Sequence, residues 1–483
     1  MDRFFTVLQI FIFPFLCAYT ASGQNAISQW TLQESIRYAI EHNISIQQTV
    51  LNERLAKLQM KQLQLSQLPS VQASMGYGKS FGRSIDPTSN QFVNSNYDFM
   101  SIAGSADVLL FGWFQRRNSI SASKLNLEST REDLNQLIND VSLNVATGFL
   151  RALLAKEQIH ISEQQISLSR AQLDQTRKFV ASGRLPELNA AQMEAQLASD
   201  SANYVNAVAS YNSAIIDIKA LLNLDFETDY TPIAPNLSQD SYFSFDIPLP
   251  SEIFEIARKN WGAIRSSELK HQAAMKRLAS ARGALWPQLG LSLQMGSNYS
   301  GTYSEIANYQ MGVPQPNGSF IKVNDSLFFP VYEPVMQYTT RRVPFSRQLD
   351  NNFRQTVSLG LNIPLFNSWQ AQHNVQQSKI AVFSTQLDQY QSELKLKQDI
   401  YRAYNDALNA IKKYRAAEAA AVSAERAFYL AEKRYELGLT NTVEYLTIQN
   451  NHFVASSNLL SARYDLIFKL KVIDYYLGKE IKL

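Results

Sequence analysis

The sequence predicts a mainly α protein with a membrane β-barrel portion, built from a duplicated helix-strand-strand-helix-helix unit. Three observations predict it. The chain repeats itself, four short segments alternate between apolar and polar residues, and two very long stretches are almost free of helix breakers.

The repeat comes first because it organises everything else. Leu68-Pro69-Ser70-Val71 is echoed by Trp286-Pro287-Gln288-Leu289, and Leu110-Phe111, Gln115 and Lys124 by Leu365-Phe366, Gln370 and Lys379. Gly183 corresponds to Gly438 and Gln192 to Gln449, so the offsets run from 218 to 257 positions. The expected organisation is a first repeat over residues 24–222, a proline-bearing linker over 223–250 and a second repeat over 251–483. The linker is expected to form a small belt outside the helices.

With 483 residues, 45% apolar and 18% charged, the chain is long enough to bury a sizeable core. A net charge of +3 is too small to indicate a nucleic-acid partner. Residues 1–23 are expected to be an export signal: Arg3, an apolar run from Phe4 to Leu16, then Ala21-Ser22-Gly23 ahead of Gln24. That run is too short to span a bilayer, and no later segment is an apolar helix of spanning length. Cys17, the single cysteine, lies inside the signal. A lipid anchor on Cys17 is the competing reading, although Leu16 stands where a small residue is expected.

Strands are expected at about 70–81, 99–111, 288–297 and 355–366. Leu289, Leu291, Leu293 and Met295 alternate with Gln288, Gly290, Ser292 and Gln294, and Val357, Leu359, Leu361 and Ile363 with polar or small neighbours. Val71, Ala73, Met75 and Tyr77, then Ile102, Gly104, Ala106, Val108 and Leu110, repeat the pattern in the first half. About ten tilted residues match the apolar band of an outer-membrane barrel. A soluble sheet packed on a helix layer is the alternative. Phe111, Trp113, Trp286, Phe366 and Trp369 favour the membrane, because they place rings at the strand ends where one edge is apolar and the other wet. Four strands cannot close a barrel, so other copies must complete it; two give eight strands and three give twelve. Residues 78–98 and 297–354 are expected as polar outer loops, the second long enough to fold over the pore mouth.

Residues 115–182 contain no proline and only Gly148, and residues 369–437 contain neither breaker. Each is expected as one helix of about 100 Å. Heptad apolar positions, Leu127, Leu134, Val141, Ile159, Ile166, Leu173 and Val180, then Leu387, Leu394, Tyr401 and Leu408, predict coiled-coil packing. Each long helix stops at a glycine turn, Ser182-Gly183-Arg184 and Leu437-Gly438-Leu439, before a returning helix. Residues 30–67 and 250–285 are expected as single helices leading into the strands.

These features together, with Arg434-Tyr435-Glu436-Leu437-Gly438 followed by Val443-Glu444-Tyr445-Leu446, make the chain resemble the TolC-like outer-membrane efflux proteins over nearly its whole length. The resemblance implies a homotrimer whose twelve-stranded barrel, set in outer-membrane lipid, continues into an α-helical tunnel across the periplasm. It implies an exit duct with no cofactor and no catalytic site. The implied partners are a periplasmic adaptor and an inner-membrane pump of the RND or ABC type. In the family a tyrosine, an arginine and two aspartates close the inner end. Here Tyr435 matches the tyrosine and Glu444 one aspartate, whereas Thr440 replaces the arginine and Thr447 the second aspartate. Three copies of Glu444 would ring a constriction and favour cations; a solvated turn carboxylate is the other reading. Ser182, Gly183, Arg184, Gly438, Leu439 and Asn441 are the adaptor-contact candidates. The outer-membrane component of type I protein secretion is an alternative role, and a periplasmic coiled-coil scaffold is the reading from a different class.

The five histidines, His42, His160, His271, His373 and His452, lack a second ligand at helical spacing. No phosphate loop or nucleophile elbow is present, so no enzyme is expected.

Overall fold

The computed structural model describes residues 29–85, 90–94, 96–233, 247–324 and 326–479. The expected signal over 1–23 and linker residues 234–246 lie outside these. In chain order, β1 (Gln29–Trp30), α1 (Leu32–His42), α2 (Ile44–Leu65), β2 (Ser70–Ser80), β3 (Arg83–Ile85), β4 (Phe92–Asn94) and β5 (Tyr97–Phe111) lead to α3 (Gln115–Ala181) and α4 (Glu187–Leu222). After β6 (Thr231–Pro232) come α5 (Pro250–Asn260), α6 (Gly262–Gly283), β7 (Gln288–Ser300), β8 (Ser304–Asn324), β9 (Leu327–Arg342), α7 (Phe345–Asn351) and β10 (Arg354–Asn362). The last helix pair is α8 (Gln370–Glu436) and α9 (Thr442–Tyr476). Two compact units divide the chain.

One unit, Asn52–Arg131 with Ser266–Tyr390, holds an antiparallel four-stranded sheet in the order β10-β7-β5-β2. Its register turns the sequence alternation into two faces. Val71 stands opposite Ala106, Ala106 opposite Leu293, and Leu293 opposite Val357, one apolar row across all four strands. One position along, Gln72, Ser105, Gln294 and Thr356 form the matching polar row on the other face. The apolar row is uncovered: Val71, Met75, Tyr77, Val357, Leu359 and Leu361 are all exposed. So are the outer edges of β2 and β10, each paired on one side only.

Two strand details differ from expectation. A bulge between Leu109 and Phe111 sets Phe111 opposite Leu289, so Phe111 and not Leu110 continues the apolar face. The last strand stops at Asn362 rather than 366, because Pro364 has no N–H to extend the ladder.

The expected outer loops are not strand-free. Residues 78–98 contain the small β3-β4 hairpin. Residues 297–354 contain a long two-stranded ribbon, β8-β9, with α7 at its base. Pro69 and Pro287 lie 218 positions apart but Phe111 and Phe366 lie 255 apart, so the ribbon accounts for the 37 residues by which the second half exceeds the first. Register shifts and Pro314, Pro316, Pro330 and Pro334 interrupt its alternation, which hid the strands. Buried Gln348 clips the base to the sheet. Its Nε2 donates to the Val343 carbonyl at 2.8 Å, and its Oε1 accepts from the Ser300 N–H at 3.0 Å.

The other unit, Glu132–Arg265 with Gln391–Leu483 and the described part of Met1–Leu51, is helical. The leading helices are not continuous as expected: each breaks once, at Asn43 and at Trp261. Asn43 Oδ1 accepts from the N–H groups of Ser45 and Ile46 at 3.0 and 3.3 Å, which caps α2 and outcompetes a straight run. Trp261 takes an extended backbone and stacks on Tyr476. Thr31 and Glu34 form a capping box at the start of α1. Burial of Trp30, Val145, Phe149, Leu153, Ile218 and Leu222 builds the main core.

Of the heptad positions on α3, Leu127, Val141 and Leu173 are buried and Leu134, Ile159, Ile166 and Val180 half-buried, whereas on α8 only Leu408 is half-buried. There Leu387, Leu394 and Tyr401 are exposed, and the buried face is Leu396, Ile400, Ala403, Ala407, Ala410 and Ile411. The exposed set extends by sevens from Ile380 through Leu387 and Leu394 to Tyr401, with Phe383 and Tyr390 between. A second uncovered stripe lies on α2: Ile44, Leu51, Leu58 and Leu65. Leu58 is 64% exposed and Leu387 69%.

Candidate functional site

The two glycine turns are the same structure twice. Gly183 and Gly438 take φ of 75° and 77°, a left-handed backbone that other residues adopt at a cost of roughly 1–2 kcal/mol. In the first turn the N–H of Gly183 reaches the Val180 carbonyl at 2.9 Å and that of Arg184 the Phe179 carbonyl at 2.9 Å. In the second, Gly438 reaches Tyr435 at 3.0 Å and Leu439 reaches Arg434 at 2.8 Å. Both therefore close the helix with the paired bonds of a Schellman motif. Arg184 lies over the Phe179 ring in one, and the Arg434 guanidinium donates to the Leu439 carbonyl in the other.

The fold sets the turns side by side. Asn189 Nδ2 donates to Thr442 Oγ1 at 2.6 Å, and the Tyr435 hydroxyl meets Thr176 Oγ1 at 3.1 Å and Thr442 Oγ1 at 3.4 Å. The Tyr435 ring stacks on Tyr445, with centroids 4.6 Å apart, in a small core with Leu173, Met193 and Ala431. Burial pushes the Tyr445 hydroxyl well above its ordinary pKa, and Gln172 Nε2 donates to it.

The four residues equated with the latch do not converge within the protomer. Tyr435 is buried and fully engaged. Glu444 is an exposed first-turn carboxylate, where the N-terminal end of a helix favours negative charge. Thr447 is exposed and its hydroxyl donates to the Val443 carbonyl at 2.8 Å. Thr440 is half-buried, with its hydroxyl oxygen lacking a partner. Of the adaptor-contact candidates, Ser182, Gly183, Arg184, Gly438 and Leu439 are exposed, beside exposed Leu188, Leu437 and Val443. Asn441 is engaged within its own chain, because its Oδ1 accepts from the Glu444 N–H at 2.8 Å and caps α9.

Sequence reading missed a buried polar ladder just behind the turns. Gln165, Ser169, Gln172 and Thr176 recur at four-three-four spacing along one side of α3, all buried. Ser169 donates to buried Asp200 at 2.5 Å, Gln165 and Gln196 donate to the same carboxylate at 3.3 and 3.0 Å, and Gln449 Nε2 donates to Ser169 Oγ at 3.2 Å. Its signal was the heptad spacing of small polar residues, which looks like an exposed face until a partner covers it. Bonds of this kind work in one helix register only.

At the other unit's strand ends, the aromatics expected at a membrane boundary lie at two matching junctions, and those of the first pack together. Trp113 packs on Trp286 at 4.8 Å and on Phe111 at 5.5 Å. Consecutive left-handed residues, Trp113-Phe114 and Ser368-Trp369, turn each strand into its helix. A Cβ on Gly283 would sit 2.9 Å from the Trp113 carbonyl, so only glycine lets α6 approach there. Phe366 lies beyond the strand end and is 83% exposed. Among the described residues no three histidine, cysteine or acidic side chains converge on a metal position, and no helix is long and apolar enough to cross a membrane.

A duplicated chain that joins a two-faced sheet with open edges to helices of 67 residues has the build of a channel protein. The family model described as "Outer membrane efflux protein" matches residues 36–224 and 254–478, and the chain belongs to that family. It is an outer-membrane efflux channel component and not an enzyme. The chain is 20% identical over 474 residues to outer membrane protein TolC of Escherichia coli, covering 97% of this chain and 86% of that one. It is 28% identical over 129 residues to TolC of Vibrio cholerae, a match spanning 26% of this chain and 29% of that relative. Among solved structures, the outer membrane protein VceC of Vibrio cholerae superposes with a TM-score of 0.72 at 13% identity, covering 93% of this chain and 97% of that one. At that identity the likeness concerns the fold.

Proposed function

We propose that three copies of the chain close a twelve-stranded barrel in the outer membrane, continued by a coiled-coil tunnel, and that substrates leave through it from a periplasmic adaptor and an inner-membrane pump of the RND or ABC type. The observation that carries this reading is a coincidence of unfinished surfaces. The open edge of β2 follows the uncovered heptad stripe of α2, and the open edge of β10 precedes the uncovered stripe of α8. Each uncovered Leu or Ile forgoes roughly 1.5–3 kcal/mol of burial. One neighbour on each flank satisfies strand edge and helix stripe together, and the family resemblance favours a three-fold ring. The polar row Gln72, Ser105, Gln294 and Thr356 then lines the lumen.

Residues 1–23 serve as the export signal on this reading, and residues 24–222 and 251–483 are the two repeats. The paired turns are the adaptor's grip. Their exposed Leu188, Leu437 and Leu439 support this, as does the open space around Gly183 and Gly438. Gating falls to Tyr435 and its partners, with Glu444 as the charged ring, since Thr440 and Thr447 supply no ion pair.

The test is a chain bearing Leu58→Cys, Ile380→Cys and Cys17→Ser, treated with a short bis-maleimide in membranes. Covalent dimers and trimers with no larger product are expected; a ladder that ends at dimer or climbs past trimer contradicts the three-fold ring. Ser182→Cys is expected to crosslink a co-expressed adaptor.

A further inference from the structure

The β8-β9 ribbon carries a feature that the channel reading does not use. Tyr309-Gln310-Met311-Gly312-Val313-Pro314 runs outward, and Pro334-Val335-Met336-Gln337-Tyr338 runs back in mirror order. The register pairs like with like: Tyr309 with Tyr338, Gln310 with Gln337, Met311 with Met336, and Pro314 with Pro334. Over Tyr309–Met311 and Met336–Tyr338 the two strands thus present the same residues to each other. Both outer edges are unpaired, since β8 and β9 form a sheet of two strands only.

A lone two-stranded ribbon is at best marginally stable in water. Exposed edges are normally blunted by charge or proline. Charge and proline blunt the ribbon's upper half, where Pro314, Pro316, Lys322, Pro330, Glu333 and Pro334 lie, and register shifts at Ile306/Asn308 and Met311/Pro314 bracket a regular stretch below, Asn308–Met311 with Met336–Thr339. Its lower shaft, residues 306–313 with 335–340, has neither charge nor proline, and its Tyr309, Met311, Met336 and Tyr338 are exposed. The base is held firmly, by the Gln348 clip and by Glu305, which accepts from Arg341 at 2.6 Å and Arg347 at 3.3 Å.

We infer that this lower shaft is a joint between copies of the chain: the free edge of β9 in one copy pairs with the free edge of β8 in the next. Strand directions alternate around such a ring, so the joint is antiparallel. Mirror order then sets Tyr338 beside the neighbour's Tyr309 and Gln337 beside its Gln310, the same pairing that each chain makes within itself. The occupant is a second copy because the edge is complementary to itself, and because the sheet below the ribbon already requires copies at both of its edges. The interface joins unlike strands, so it propagates head to tail, and the three-copy ring beneath fixes the rotation that closes it. The prolines confine it to the shaft and leave the tips separate. Three ribbons contribute six strands, fewer than the twelve beneath, so the collar narrows the exit.

This inference rests on the three-copy ring, and its test separates the two. Two differently tagged chains, both Cys17→Ser, are co-expressed, one with Gln310→Cys and the other with Gln337→Cys, and the membranes are treated with the bis-maleimide. Both substituted positions are exposed, so the fold is undisturbed. A product carrying both tags is expected. Its absence, where the Leu58→Cys, Ile380→Cys chain does crosslink between copies, overturns the collar and leaves the ring standing. Absence of both products overturns the ring, and the collar with it.

Discussion

Single residues at the paired turns carry most of the chemistry near the candidate site. Asn441 is the instructive one. Its sequence position suggests a contact for a partner, and its exposed side chain also accepts from the N–H of Glu444. Asn441→Ala should therefore cost about 1 kcal/mol of local stability. In hydrogen exchange this appears as roughly fivefold faster opening at the start of α9. Asn441→Asp should restore the slower rate, whereas a pure contact residue would leave exchange unchanged in both variants. The glycines were legible because a left-handed stop leaves a compositional mark. Tyr435 was legible only as a match to a family position. Its stack on Tyr445 and its bonds to Thr176 and Thr442 come from residues up to 259 positions away, which no local pattern encodes.

At the scale of elements, period-two alternation located all four strands of the main sheet, because each has one apolar face and register preserves it. Helix interruptions were harder to see. Asn43 breaks its helix with a single capping side chain, and Trp261 with a ring seated on Tyr476. The ribbon was misread for the opposite reason: it is strand, but prolines and register shifts disguise it. Its base is expected to respond to acid. The hydrogen bond from Arg341, with the Arg347 and Arg341 charges beside it, lowers the Glu305 pKa. A lowered pKa means that the carboxylate's contribution is complete above the ordinary value and is lost as pH falls through the folded one. Exchange at the base of β8-β9, corrected for its intrinsic pH dependence, should be flat near neutrality and accelerate below about pH 4. Glu305→Gln should be fast throughout and lose that acid step. An unchanged step in the variant would assign it to another group.

For the whole molecule, duplication was the most readable property, and it explains why turns, junctions and helix breaks each occur twice. The α8 heptad shows where one chain is not enough to interpret a pattern. Leu387 and Leu394 have the spacing of core residues, yet the protomer buries Leu396 and Ile400 and leaves the heptad open. On the proposed three-copy ring, the surface that satisfies this period belongs to another copy. On the same reading, the apolar sheet face meets lipid. The most direct measurement is the mass of the purified native particle, taken by mass spectrometry from detergent. An assembly of three chains that needs detergent to stay in solution and separates into single chains on heating is the expected result. A stable single chain in plain buffer would contradict it.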